Sequence, residues 1–137
     1  MSQRGEEDVS YVFKNENPHG KFVDDCVIRA IATVTGKSWD DVFLELTIEA
    51  YIQKDRIDAN YVWGNYLLNN GFVKRQLPNT CPNCYTVREF ARDNRWGIFV
   101  VGDGTHAIAV VDGCYIDTYD CGDRTVLFYY EKERGIK

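Results

Sequence analysis

Three residues in this chain have side chains that can act together on a carbonyl: Cys26, His106 and Asp117. Cys26 lies in DDCVIRAIATVTG, residues 24–36. There Val27, Ile28, Ile31 and Val34 share one helical face, Asp24 is placed to cap the helix and Gly36 to end it. The cysteine therefore opens a helix, where free N–H groups and the helix dipole favour a thiolate. The plain alternative is a small buried hydrophobe, as free cysteines commonly are.

His106 and Asp117 flank an Asp-Gly pair, Asp112-Gly113, set between β-branched runs. That is a strong hairpin signal. A two-residue turn puts Val111 opposite Cys114, Val110 opposite Tyr115 and Ala109 opposite Ile116. Continued outward, Ile108 faces Asp117 and His106 faces Tyr119. His106 and Asp117 then become diagonal neighbours on one sheet face, within reach of long side chains. Asp120 falls on the other face unless the strand ends or bulges. A carboxylate on one imidazole nitrogen fixes the tautomer and leaves the other free to take a proton. The plain alternative is a strand histidine beside a surface acid.

The elements that must position these residues can be read along the chain. YVFK, residues 11–14, reads as a short edge strand and NENPHGKF as a loop. SWDDVFLEL starts a second helix, with Ser38 and Asp41 in capping-box spacing and Trp39, Val42, Phe43 and Leu46 as its stripe. It runs to about Lys54. NYVWGNYLLNNG is a third helix, with Asn60 as its cap and Gly71 as its stop. FVKRQL is a strand, and TVREFARDN a short helix with Thr86 and Glu89 as its capping box. After Trp96 the pattern turns to strands: GIFVVG, THAIAVVDGCYIDTY and TVLFYY, with a second Asp-Gly turn at 103–104. Trp39, Trp63 and Trp96 are expected core anchors, and EKERGIK a solvated tail. Helices first and an antiparallel sheet after them make an α+β fold.

Composition sets the frame. The chain has 137 residues, 45% hydrophobic and 27% charged, which suits one domain over 1–137 with residues 1–10 loose. The net charge of −5 speaks against gripping nucleic-acid phosphates. No apolar run is long enough to span a membrane, and MSQRGEEDVS is no secretory signal, so the expected location is cytoplasmic. There the five cysteines are expected to be reduced thiols. CPNC, residues 81–84, has metal-knuckle spacing, so Cys81, Cys84, Cys114 and Cys121 are zinc candidates. A redox pair or a plain turn built on Pro82 and Asn83 are the other readings. No other cofactor is indicated. Arg29, one turn after Cys26, can support the thiolate or pair with Asp25.

DDCVIRAIA followed by GTHAIAVVDGCYIDTYD resembles the papain-like cysteine peptidase superfamily, over roughly residues 20–130. The resemblance is to its small single-domain bacterial and phage members, and to the transglutaminase-like and bacteriocin-processing branches. It implies a papain-like fold, with N-terminal helices packed on a C-terminal antiparallel sheet. It also implies Cys26 as nucleophile, His106 as base, Asp117 as orienter, and a protein or peptide substrate. Many such enzymes carry a Gln six residues before the Cys as an oxyanion donor. Here that position is Gly20, with Asn15, Asn17 and His19 nearby as substitutes. Peptidase action, deamidation and acyl transfer all fit the pattern. The rival readings are a catalytically silent papain-fold binding protein of bacterial or phage origin and a small structural zinc protein.

Overall fold

The computed structural model describes residues 10–22, 24–78 and 80–133. Of the stretch 1–10 expected to be loose, Ser10 is instead the first residue of a strand, while residues 1–9 and the last four residues of the tail lie outside the described residues. Strand β1 (Ser10–Phe13) is followed by helices α1 (Cys26–Thr35), α2 (Trp39–Gln53) and α3 (Asn60–Asn69). Next come β2 (Phe72–Gln76), α4 (Val87–Asp93), β3 (Ile98–Gly102), β4 (Ala107–Val111), β5 (Cys114–Asp117) and β6 (Phe128–Lys132). The fold is α+β, with the six strands in one sheet ordered β1-β5-β4-β3-β6-β2.

The sheet is mixed, where the sequence suggests a purely antiparallel one. β1 runs parallel to β5, and the other neighbours pair antiparallel. Nor is the sheet confined to the C-terminal half, since β1 and β2 supply its two edges. Nothing local in a four-residue strand names its partner. Ser10 pairs with Cys114, far along the chain, so only the assembled sheet decides the direction.

Alternation along the central strands divides the interior in two. Val100, Ala107, Ala109, Phe128 and Tyr130 face a core shared with α1, α2 and α3. Phe99, Val101, Ile108, Val110 and Tyr115 face the other way, onto Val87, Phe90 and Ala91 of α4. Helices thus cover both faces of the sheet. α1 is the most enclosed helix: Val27, Ile28, Ala30, Ile31, Ala32 and Val34 are buried. It ends at Gly36, whose φ of 75° suits a residue without a side chain.

The capping residues shift by one in two helices. Asp25, not Asp24, precedes α1, and its carboxylate does not cap the helix. Ala59, not Asn60, precedes α3. Ser38 caps α2 as expected, accepting from the Asp41 N–H at 3.0 Å. Thr86 and Glu89 form the full capping box of α4. Trp63 is buried in the core, but Trp96 is 75% exposed on the turn into β3 and anchors nothing there. Glu131 and Lys132 extend β6 against β2, so the start of the expected tail is strand. Among the described residues no helix is long and apolar enough to cross a membrane.

Candidate active site

Cys26 is the first residue of α1. The opening N–H groups of a helix have no partner within it, so its thiol sits at the positive end of α1. His106 reaches it from the opposite side, through the β3–β4 connection. That connection is not the two-residue turn expected at Asp103-Gly104. The last pair is Gly102–Ala107, which leaves a four-residue loop, 103–106. Asp103 organises the loop. Its Oδ1 accepts from the Thr105 N–H at 2.9 Å and the His106 N–H at 2.8 Å, and its Oδ2 from Arg124 Nε at 2.8 Å. Arg124 also donates to Thr105 Oγ1 at 3.0 Å. His106 is therefore fixed by its backbone just outside the strand.

The neighbouring turn follows the sequence reading. Asp112 and Gly113 have φ of 49° and 85°, and Val111–Cys114, Val110–Tyr115 and Ala109–Ile116 are paired. Regular pairing stops there, but the diagonal contact is made. His106 Nε2 lies 2.7 Å from Asp117 Oδ2, and the His106 and Tyr119 rings lie 5.7 Å apart. With Nε2 engaged, Nδ1 is the nitrogen left for Cys26, which is within hydrogen-bonding reach of the ring. Burial pulls the His106 pKa down, but the bonds to Asp117 and Cys26 outweigh it and raise it to about 9. Burial likewise opposes ionisation of Asp117. The bonds from His106, Arg29 and the Thr118 N–H win, and hold its carboxyl below the usual range. Asp120 is occupied elsewhere, by the Tyr115 hydroxyl at 2.8 Å and the Gly122 N–H at 3.0 Å.

Behind these three residues lies a buried polar network that the sequence showed only in part. Arg29 Nε donates to Asp25 Oδ1 at 2.7 Å, the one-turn pair that the spacing suggests. Its NH1 also donates to Asp117 Oδ1 at 2.7 Å, across 88 residues of chain. Asp25 Oδ2 accepts from Trp39 Nε1 at 2.9 Å and from Asn17 Nδ2 at 3.4 Å. Asp103, Arg124 and Trp39 escaped the sequence reading as parts of the site. Asp103 left one trace, the Asp-Gly-Thr run that favours a side-chain-to-backbone turn.

The thiol and imidazole open into a cleft of about 240 Å³. Its walls are the first turn of α1, Arg56, Ile57 and Asp58 before α3, Asn60 and Trp63 on α3, and Gly104–Thr105. Asn60 Nδ2 donates to the Gly104 carbonyl at 3.2 Å and ties two of these walls together. The substitutes for the absent Gln do not line this cleft. Asn15 donates to the Lys21 carbonyl, and His19 is exposed. Asn17 is buried, with its Oδ1 taking the His19 N–H at 2.9 Å.

The zinc expectation is corrected by placement. Cys81 and Cys84 form a disulfide, where reduced thiols are the sequence expectation. Cys114 opens β5, its Sγ 3.8 Å from Ser10 Oγ. Cys121 lies beyond the far end of that strand, 2% exposed in the core that faces α4. With β5 between the last two and the first two bonded to each other, the four sulfurs do not converge. Among the described residues no group of three or more His, Cys, Asp or Glu could hold a metal. Compared with family models, with curated proteins and with solved structures, the chain matches none.

Proposed function

We propose that the protein is a papain-like cysteine hydrolase acting on an amide bond of a protein or peptide. One observation carries the reading: His106 is held by Asp117 at one nitrogen and offers the other to a cysteine at a helix N-terminus, at the mouth of a cleft. His106 takes the Cys26 proton, and the sulfur forms a bond to the substrate carbonyl carbon. The Cys26 backbone N–H, free at the helix start, donates to the oxyanion. The imidazolium returns its proton to the leaving nitrogen as the C–N bond breaks, giving an acyl-enzyme. Water, deprotonated by His106, then adds to the acyl carbon and the C–S bond breaks. A side-chain amide as substrate makes the same steps a deamidation, and an amine in place of water makes them an acyl transfer.

A second reading, a papain-fold binding protein that does no chemistry, is favoured by one observation: neither Asn15, Asn17 nor His19 lines the cleft as a second oxyanion donor. Iodoacetamide alkylation of each cysteine across the pH range, mapped by mass spectrometry, separates the two readings. A hydrolase has a Cys26 that reacts in mild acid ahead of the other thiols, and loses that reactivity in His106→Ala. A Cys26 that behaves as an ordinary thiol in both proteins leaves the binding reading standing.

A further inference from the structure

We propose that Arg29 is a positioning residue of this site, which fixes the nucleophile's helix to the base's orienting carboxylate through one guanidinium. The proposal rests on the hydrolase reading and adds to it. Arg29 donates from Nε to Asp25 and from NH1 to Asp117, both at 2.7 Å, with its side chain 10% exposed. Asp25 is the residue just before Cys26, and Asp117 carries His106. The contacts therefore close a ring: Cys26, its neighbour Asp25, Arg29, Asp117, His106, and back to Cys26.

A guanidinium suits this place. Its donors are set in a rigid plane, so two carboxylates bound at Nε and NH1 are held at a fixed separation. Arg29 takes Oδ1 of Asp117 and leaves Oδ2 to the imidazole, so the carboxylate cannot rotate without breaking an ion pair. Its charge also favours the ionised form of Asp117. Asp25 is anchored in turn by Trp39 from α2 and Asn17 from the loop after β1, so the ring is braced on both sides. Besides the ring members, Tyr11 from β1 and Cys121 from the loop after β5 face Asp117.

A purely structural arginine would affect melting but not the pH profile of the folded protein. The test is therefore the pH dependence of Cys26 alkylation in Arg29→Lys and Asp25→Asn, compared with the unaltered protein under conditions where circular dichroism shows each folded. An ammonium is a point donor that cannot span both carboxylates. In Arg29→Lys the reaction in mild acid should fall about tenfold or more, equivalent to about 1.4 kcal/mol, and the profile should move toward that of a simple thiol. Asp25→Asn should shift it the same way, though it alters neither Cys26 nor His106. Unchanged profiles in both variants, with lowered melting points, overturn the proposal and leave the hydrolase reading intact. A Cys26 unreactive in acid in the unaltered protein overturns that reading instead. Should neither variant fold, the unaltered protein decides by NMR. The Arg29 Nε–H should be slow to exchange and should shift as His106 titrates; a fast-exchanging, pH-insensitive signal refutes the ring.

Discussion

Asp117→Asn separates the opposing forces on His106. Burial pulls the imidazolium pKa down, and the contacts with Asp117 and Cys26 lift it from 6.5 to about 9. Asparagine keeps an oxygen that can accept a hydrogen bond but removes the charge, so burial gains weight and the ring should titrate below its value in the parent, with Cys26 still lifting it. At about 1.4 kcal/mol per pH unit the rise is worth about 3 kcal/mol, and screening at the cleft reduces its share of stability to about 1–2 kcal/mol. Because the folded pKa is the higher one, that share is fully present below 6.5 and is lost as pH rises through about 9. The chain has two histidines, so His19→Gln leaves one imidazole signal to follow by NMR. In that background His106 should titrate near 9, and Asp117→Asn should bring it down by about one unit or more. Raising the pH through this window should lower the melting temperature by about 3–6 °C in the parent and less in the variant. A parent ring that titrates at its ordinary value, or a variant ring still near 9, would refute the reasoning.

Three further outcomes are expected. Asp103→Ala removes the acceptor for the Thr105 and His106 N–H groups and the partner of Arg124; it should cost about 1–3 kcal/mol in urea unfolding and slow Cys26 alkylation, while a change in neither would show that the loop holds His106 unaided. Cys121, buried and with its thiol pKa pushed up by burial and by Asp117, should stay unalkylated until the protein unfolds, and native labelling there would contradict its placement. Gly64→Ala drives a methyl into the buried Tyr130 hydroxyl; a loss of about 1–3 kcal/mol is expected, partly recovered in a Tyr130→Phe background, and a neutral result would mean that α3 stands farther from β6.

What could be read from the sequence was local. The Asp112-Gly113 turn fixed the register of its hairpin, and with it the His106–Asp117 contact, because a two-residue turn leaves one pairing. Gly36 and Thr86 marked helix ends through their own backbone preferences. The Asp25–Arg29 pair was visible as a one-turn spacing. What was hidden depends on residues far apart in the chain. The Arg29–Asp117 bond needs α1 packed on the sheet, and the parallel pairing of β1 with β5 needs the sheet itself. Trp96 shows the limit of composition: a large aromatic ring is core only if its turn points inward. The length of the 103–106 loop was hidden because Asp103 builds it with side-chain bonds, which the Asp-Gly pattern alone does not distinguish from a tight hairpin.

The pairing of β1 with β5 bears on the order in which the molecule is made. β1 and α1 are synthesised early, and β5 follows some hundred residues after β1. The Tyr11 hydroxyl and the Lys14 N–H both donate to the Asp117 carbonyl at 3.1 Å, so strand docking and the carboxylate belong to one late event. Pairings of such long sequence separation form slowly, after local turns and helices. Until β4 and β5 join the sheet, Cys26 heads a nascent helix without His106 and Asp117 in place. On the hydrolase reading, the growing chain carries the thiol without its partners while residues 27–105 are made, and the three side chains meet only once β5 has joined the sheet.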